Sequence, residues 1–201
     1  MRVRTFFCFV LLILGACSFN NKPTPKQTFL LTVNRPESAA TSPTAAATVK
    51  VQPFTVIAPY NGKSMVYRDS DVRFQADYYN EWFAAPAAML TDRTVTWLAQ
   101  SGVFRKVVPP ASGLDGTLEL EGIVTELLGD YRDQGKPIAV VAVQFHCSDA
   151  ASGKLVYDGL LRETSPLAER TPEALARGID TATAHLLARL ENDLKIAVGR
   201  L

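Results

Sequence analysis

The sequence is poor in the residues that build metal sites, disulfides and catalytic centres. Its 201 residues include only two histidines and three cysteines. His146 and His185 are not clustered with other ligands, so we expect no metal site. Neither a G-x-x-x-x-G-K-[ST] phosphate loop nor a G-x-S-x-G nucleophile elbow occurs. We therefore expect no catalytic residues, no cofactor and no enzymatic activity.

The sequence also lacks a strong charge and a long hydrophobic run. The formal net charge is +1, which offers no basic field for nucleic acid. The apolar run at residues 6–14 is shorter than the roughly 20 residues that a membrane-spanning helix needs. With 47% hydrophobic and 20% charged residues, the composition is otherwise that of an ordinary globular chain. We expect one domain with a core of normal size, plus flanking segments.

The apolar run has the features of a secretory signal. Arg2 and Arg4 precede it and small residues at 15–16 follow it, which is the order found in signal peptides. The segment Leu14-Gly15-Ala16-Cys17 resembles a bacterial lipobox, in which the cysteine is acylated, with palmitate among the chains, and becomes the new N-terminus. An ordinary signal peptide followed by a chance cysteine is the alternative. We expect a covalent lipid on Cys17 as the only added group.

The composition divides the chain into three segments. Residues 1–16 are the predicted signal peptide, 17–27 a lipidated tether that is polar and carries prolines, and 28–201 the folded domain. Within the domain, residues 34–50 are rich in Ala, Thr, Ser and Pro and predict a flexible loop. Ser18 follows the acylated position where an Asp would resemble an inner-membrane retention signal, which favours the outer membrane.

Hydrophobic periodicity predicts strands and two helices. The predicted strands are at 28–33, 51–57, 64–68, 72–76, 103–107, 117–128, 138–145 and 155–161. One helix begins at Pro86 and ends at Gly102, and the last begins at the Thr171 cap and ends at Gly199. The nearly continuous apolar run from 138 predicts a central strand. This order predicts a single α/β domain, with a mainly antiparallel sheet and two helices packed on one face.

Several segments resemble a known family. The segment Met65-Val66-Tyr67-Arg68, the aromatic pair Tyr78-Tyr79 with Trp82, and the helix end Ser101-Gly102-Val103-Phe104 are similar to the ABC-type transport auxiliary lipoprotein family. That family includes the lipoprotein partner of the paraquat-inducible Pqi system. The resemblance covers roughly residues 28–196, and the Ala/Thr/Ser-rich stretch at 37–48 has the character of an insertion.

The resemblance implies a role in transport. It implies an outer-membrane lipoprotein, on the periplasmic side of the envelope, that serves as the docking component of an MCE-type ABC system for lipids or organic solvents. The implied partners are an MCE-domain protein, an inner-membrane permease and its ATPase, with homo-oligomerisation as a further hypothesis. A structural envelope lipoprotein that contacts the cell wall or other outer-membrane proteins is the alternative.

The candidate binding residues for a partner or lipid are Tyr67, Arg68, Tyr78, Tyr79 and Trp82. Aromatic side chains are favoured at interfaces, and an arginine can bind phosphate or carboxylate. The alternatives are that the aromatic residues pack under the first helix and that Arg68 pairs with a neighbouring aspartate.

Three other polar features have plainer interpretations. Glu119 and Glu121 share one strand face, and a solvated surface explains them better than acid–base chemistry. His146 and Cys147 point to opposite faces of a strand, so they do not form a paired site. Because Cys8 leaves with the signal and Cys17 is consumed by the lipid, Cys147 has no disulfide partner, and we expect a buried, inert thiol.

Overall fold

The computed structural model describes residues 25–36, 43 and 45–200. The predicted signal peptide, Cys17 and most of the tether lie outside the described residues, as do positions 37–42 and 44 of the predicted flexible loop.

The described residues form nine strands and two α-helices. The first five strands are β1 (Gln27–Phe29), β2 (Ala45–Val51), β3 (Thr55–Val56), β4 (Ser64–Arg68) and β5 (Phe74–Trp82), with a 3-10 turn at Ala58–Tyr60. Helix α1 (Pro86–Ser101) follows, and then come β6 (Phe104–Val108), β7 (Leu118–Asp130), β8 (Ile138–Asp149), β9 (Leu155–Pro166) and helix α2 (Pro172–Val198). A single α/β domain with two helices is therefore confirmed.

Strand β8 lies inside the sheet between β7 and the edge strand β9. Both pairings are antiparallel and run along almost the whole strand. Its alternate residues Val141, Phe145 and Cys147 are completely buried in the main core. Val140, on the opposite face, is also completely buried, in a smaller cluster with Tyr60, Val66 and Leu128. A strand covered on both faces explains the uninterrupted apolar sequence.

The second edge of β7 is shared by three short strands in succession. Strand β2 pairs with Leu118–Leu120, β3 with residues 123–124, and β4 with residues 129–130. All three run parallel to β7, so the chain from 45 to 68 follows β7 as one interrupted extended path. Pro53 lies at the first interruption, where its missing N–H leaves the ladder without a donor.

The prediction of a mainly antiparallel sheet is wrong. The sheet is mixed, and five of the eight pairings among the described strands are parallel. Alternation of apolar residues shows which face of a strand is buried but carries no information on strand direction. Parallel pairing here arises because β2 to β4 are separated from β7 by helix α1 and strand β6, a crossover long enough to return the chain in the same direction.

Several strands are longer than the sequence predicted. Residues 45–51 form β2, where a flexible loop was expected up to residue 50, and β5 continues to Trp82 instead of ending at 76. Segment 45–48 has small or hydroxylated side chains without apolar alternation. It is nevertheless extended because β6 pairs with its backbone on one side and β7 pairs with the following residues on the other.

The helix ends follow their local signals. Helix α1 begins at Pro86 and ends at Gly102, whose φ of 69° is the left-handed conformation that favours glycine. Helix α2 begins after Thr171, whose side-chain oxygen accepts a hydrogen bond from Ala174 N–H at 3.2 Å. The buried side chains of both helices join one core cluster with Val141 and Phe145 of β8.

A carboxylate joins the segment after β1 to both helices. Glu191 of α2 accepts two hydrogen bonds from the Arg35 guanidinium, at 2.9 and 2.8 Å, and one from Trp97 Nε1 at 2.8 Å. Burial by itself would raise the pKa of Glu191, but the hydrogen bonds from Arg35 and Trp97 lower it overall. Nearby, Thr32 donates to Asp180 of α2 through its backbone N–H and its hydroxyl. Residues 32–35 are thus fixed along α2.

Helix α2 approaches the sheet most closely at Gly178. A Cβ there would overlap Leu167 Cδ2 and lie 2.8 Å from Ala139 Cβ. We expect Gly178→Ala to destabilise the fold by about 1–3 kcal/mol, because overpacking outweighs the roughly 1 kcal/mol that alanine contributes in a helix. Urea unfolding would measure this. Ala188→Gly on the exposed side of α2 is the control for helix propensity, and a more stable Gly178→Ala protein would contradict the close packing.

Candidate functional site

Strand β5 carries a wide bulge beside β4. Val66 pairs with Ala76 and Ser64 with Glu81, so five steps along β5 face two steps along β4. The extra residues form a protrusion at 77–80, which we call the tyrosine bulge. The bulge lies near the edge of the sheet, because the only strand outside β5 in the described chain is the three-residue β1.

Asp77 organises the tyrosine bulge. Its Oδ1 accepts hydrogen bonds from the backbone N–H groups of Tyr79, at 2.8 Å, and Asn80, at 3.0 Å. Its Oδ2 accepts from the Tyr67 hydroxyl and from Asn80 Nδ2, both at 2.9 Å. One carboxylate therefore closes the turn and ties it to β4.

The electrostatics of this group follow from its hydrogen bonds. Burial alone would raise the pKa of Asp77, but the donors from Asn80, Tyr79 and Tyr67 lower it overall. The pKa of Tyr67 is raised, first by burial and then by its bond to Asp77. The Tyr67 ring stacks on Tyr131 with centroids 5.3 Å apart, and burial raises the pKa of Tyr131 to about 12. Both phenols are therefore neutral at physiological pH, and of the two only the Tyr67 hydroxyl has a hydrogen-bond partner among the described residues.

The two tyrosines of the bulge are exposed together. The side chains of Tyr78 and Tyr79 are 72% and 47% exposed, with their rings edge to face at 5.0 Å between centroids. The Lys26 ammonium lies 5.2 Å from the Tyr78 centroid and 3.2 Å from the Glu81 carboxylate. The bulge therefore presents an exposed aromatic pair beside the Lys26–Glu81 ion pair, on a backbone held by Asp77.

The other candidate residues have structural surroundings. Trp82 is 2% exposed and belongs to the main core. Arg68 donates to the backbone carbonyls of Ser70 and Asp71 and lies 5.3 Å from the Phe74 ring, so it closes the β4–β5 turn. Of the five candidates, only Tyr78 and Tyr79 present a large exposed aromatic surface to solvent.

Sequence reasoning missed two contributors to this edge, Lys26 and Asp77, whereas Phe83 belongs to the same aromatic cluster of the sequence as Tyr78 and Tyr79. Lys26 was assigned to the tether, and Asp77 was considered only as a partner for Arg68. Phe83, just after β5, is 65% exposed, and its carbonyl accepts a hydrogen bond from the Lys63 ammonium at 3.1 Å. An Asp side chain can accept hydrogen bonds from the backbone N–H groups two and three residues later. Asp77 is therefore the one local signal that could have indicated the turn.

The remaining polar candidates do not assemble a catalytic centre in the part of the chain that the structure describes. Cys147 is completely buried, and burial raises the pKa of its thiol to about 12, which keeps it protonated and unreactive. Glu121 faces His146 across the β7–β8 ladder, and His146 Nδ1 lies 3.2 Å from Asp158. No group of three metal-ligating side chains occurs among the described residues.

A groove of about 750 Å³ lies at the opposite edge of the sheet. It runs between the start of β9 and the end of α2, with exposed Leu155 and Ile196 on its apolar side and Lys154 and Arg200 on its polar side. Four strands separate β9 from β1, since the order is β1-β5-β4-β7-β8-β9. The groove and the tyrosine bulge are therefore on different edges of the domain.

A family comparison accounts for nearly the whole domain. The model of the ABC-type transport auxiliary lipoprotein component matches residues 29–191. The chain belongs to this family. The matched range begins within β1 and ends in α2 at Glu191, so it contains the bulge, helix α1, most of α2 and the entire path along β7.

Solved structures share the fold of this auxiliary lipoprotein. Protein XCC0632 from Xanthomonas campestris, assigned to the family model DUF330, superposes with a TM-score of 0.78 at 17% identity, covering 87% of this chain and 97% of that one. An uncharacterised protein superposes with a TM-score of 0.67 at 16% identity, covering 84% and 97% of the two chains. No curated protein matches this chain in sequence at a significant level.

None of the helices in the described ranges is both long and apolar enough to cross a bilayer.

Replacing Asp77 tests its role in the bulge. We expect Asp77→Asn to lower the free energy of unfolding at neutral pH by about 1–3 kcal/mol, because hydrogen bonds to a charged acceptor are lost. The folded-state pKa of Asp77 lies below its ordinary value, so its stabilisation is present above about pH 4 and is lost as the pH falls through the folded-state value. The difference from wild type should therefore shrink as the pH drops below 4.

Chemical denaturation between pH 7 and pH 2.5 would measure this difference. The control is Asp92→Asn on the exposed surface of α1, which should leave both the stability and its pH dependence nearly unchanged. An Asp77→Asn protein whose stability matches wild type at neutral pH would show that the carboxylate does not hold the bulge.

Proposed function

We propose that this auxiliary lipoprotein is anchored to the periplasmic face of the outer membrane and serves as the docking component of an MCE-type ABC system for lipids or organic solvents. The observation that carries the proposal is the family match over residues 29–191. The proposed partners are an MCE-domain protein, an inner-membrane permease and its ATPase, and the proposed role is binding without catalysis.

The anchor in this proposal is the lipid on Cys17. Loss of Arg2 and Arg4 with the signal reduces 21 basic residues to 19, against 20 acidic residues. A mature protein of this charge has no general attraction to anionic lipids, so acyl chains must hold it at the membrane. Each buried methylene contributes about 0.8 kcal/mol, and several chains give lasting attachment where a single chain is marginal.

The layout of the domain supports a bridging role. The described chain begins at Pro25 and enters the sheet through β1, at one edge. The groove between β9 and α2 lies at the other edge, across five strand spacings of about 4.8 Å each. A lipid-anchored domain with this layout can face the membrane at one edge and offer Leu155 and Ile196 to a protein partner at the other.

Affinity capture from envelope extracts tests the partners. The acylated full-length protein should co-purify with an MCE-domain protein and the permease, and Cys17→Ala should leave the membrane fraction while Ser18→Ala behaves as wild type. Recovery of only cell-wall or other outer-membrane proteins would instead support a structural envelope lipoprotein.

Membrane fractionation tests the location. We expect the wild-type protein in the outer-membrane fraction and Ser18→Asp in the inner-membrane fraction, since an aspartate after the acylated cysteine resembles a retention signal. Ser18→Asn is the matched control, of the same shape without the charge. Wild-type protein found in the inner membrane would contradict the outer-membrane assignment.

A further inference from the structure

The tether meets the domain beside the tyrosine bulge. Pro25 and Lys26 are the first described residues, and the next residue, Gln27, pairs with Asn80 of the bulge. Lys26 also contacts the Tyr78 ring through its ammonium group at 5.2 Å. The point where the chain leaves the domain toward its N-terminus is therefore in contact with the most exposed aromatic side chain of β5.

The length of chain beyond this point is short. If Cys17 carries the lipid, as the proposed function requires, residues 18–24 are all that separates the acylated residue from Pro25. Even fully extended, the eight steps from Cys17 to Pro25 span at most about 28 Å, close to the thickness of the hydrocarbon core. The bulge is consequently held within a short distance of the leaflet that contains the acyl chains.

The chemistry of the bulge suits the boundary between lipid and water. Tyrosine is favoured at membrane interfaces because its ring is apolar and its hydroxyl is polar. The Asp77 carboxylate, the acidic group of the bulge, points inward and accepts four hydrogen bonds. Its charge is therefore engaged within the turn, while the Lys26 ammonium at the rim is paired with the Glu81 carboxylate, so neither carboxylate faces the lipid phosphates without a partner.

We propose that Tyr78 and Tyr79 form a second membrane contact, seated in the headgroup region of the same phospholipid leaflet that holds the lipid on Cys17. The inference rests on the proposed lipid anchor and adds an orientation to it. A lipid on Cys17 alone does not set which edge of the domain faces the bilayer. A second contact through Tyr78 and Tyr79, beside the first residues of β1, fixes that edge, and the groove at β9 then faces the periplasm.

Quenching by brominated lipids tests the contact directly. The acylated full-length variants Tyr78→Trp and Leu160→Trp are reconstituted in vesicles of phosphatidylethanolamine and phosphatidylglycerol, with or without acyl chains brominated near the glycerol. Leu160 is the matched control, because it is 57% exposed on β9 at the opposite edge. The native Trp82 and Trp97 are buried and contribute the same background to both variants.

Tyr78→Trp should lose emission in brominated vesicles and shift to shorter wavelength on binding, while Leu160→Trp should show neither change. Vesicle flotation of the same samples separates the two proposals. The bulge contact is overturned if the Tyr78→Trp protein floats with the vesicles but is not quenched. It is also overturned if both variants float and are quenched alike, and in both cases the anchor stands. Protein that does not float with vesicles overturns the anchor, and the bulge contact with it.

A second variant guards against a local effect of tryptophan. Tyr78→Ser combined with Tyr79→Ser should remain attached through the lipid. Leu160→Cys is introduced into both proteins, and a donor fluorophore is coupled to its thiol. Energy transfer from this donor to an acceptor at the lipid surface should be higher in the double-serine protein than in the protein with both tyrosines. Loss of a fixed orientation brings that edge toward the membrane part of the time. Equal energy transfer in the two proteins overturns the proposal and favours a protein partner, or a second copy of the chain, as the occupant of the bulge.

Discussion

The fold depends on covering both edges of the thirteen-residue strand β7. Strand β8 covers one edge, but no single strand covers the other, so β2, β3 and β4 share it. The breaks between these strands must still be packed. Gly122 makes this possible at the first break, because a Cβ there would lie 2.8 Å from the Phe54 ring carbons. Without a side chain on β7 at this point, Phe54 reaches the main core and packs edge to face on Phe145.

This shared edge also determines where the exposed aromatic residues can be. Strand β4 pairs with the last two residues of β7, and β5 and β1 follow on its outer edge. Trp82, at the end of β5, is buried in the core, whereas Tyr78 and Tyr79 four and three residues earlier are outside it. The hydrogen bond from Tyr67 on β4 to Asp77 fixes the boundary between the buried and exposed parts of the strand. The bulge is thus as well defined as the core strands beside it.

Local features of the sequence predicted the helices, the central strand and the family, but not the path along β7. Pro86, Gly102 and Thr171 act through their own backbone or side chain, so their effects can be read one residue at a time. The same holds for Cys147, whose burial follows from the apolar alternation of β8. The direction of β2 to β4, and the strand at 45–51, depend on partners about 60–70 residues away, which a local pattern does not contain. The bulge was missed for a related reason, since tyrosines at 78 and 79 fit a regular strand equally well until the register with β4 is known.

The contacts of residues 27–35 determine how a pulling force on the N-terminal segment is transmitted to the rest of the domain. A pull through the N-terminal segment acts along β1, so the hydrogen bonds that pair it with β5 are loaded in shear, all together, and do not open one by one. Behind β1, the contacts of Thr32 with Asp180 and of Arg35 with Glu191 pass the tension to α2, the longest element of the domain. Tension applied at the membrane would therefore be spread over the helix and the core beneath it, and the small terminal strand would not bear it alone.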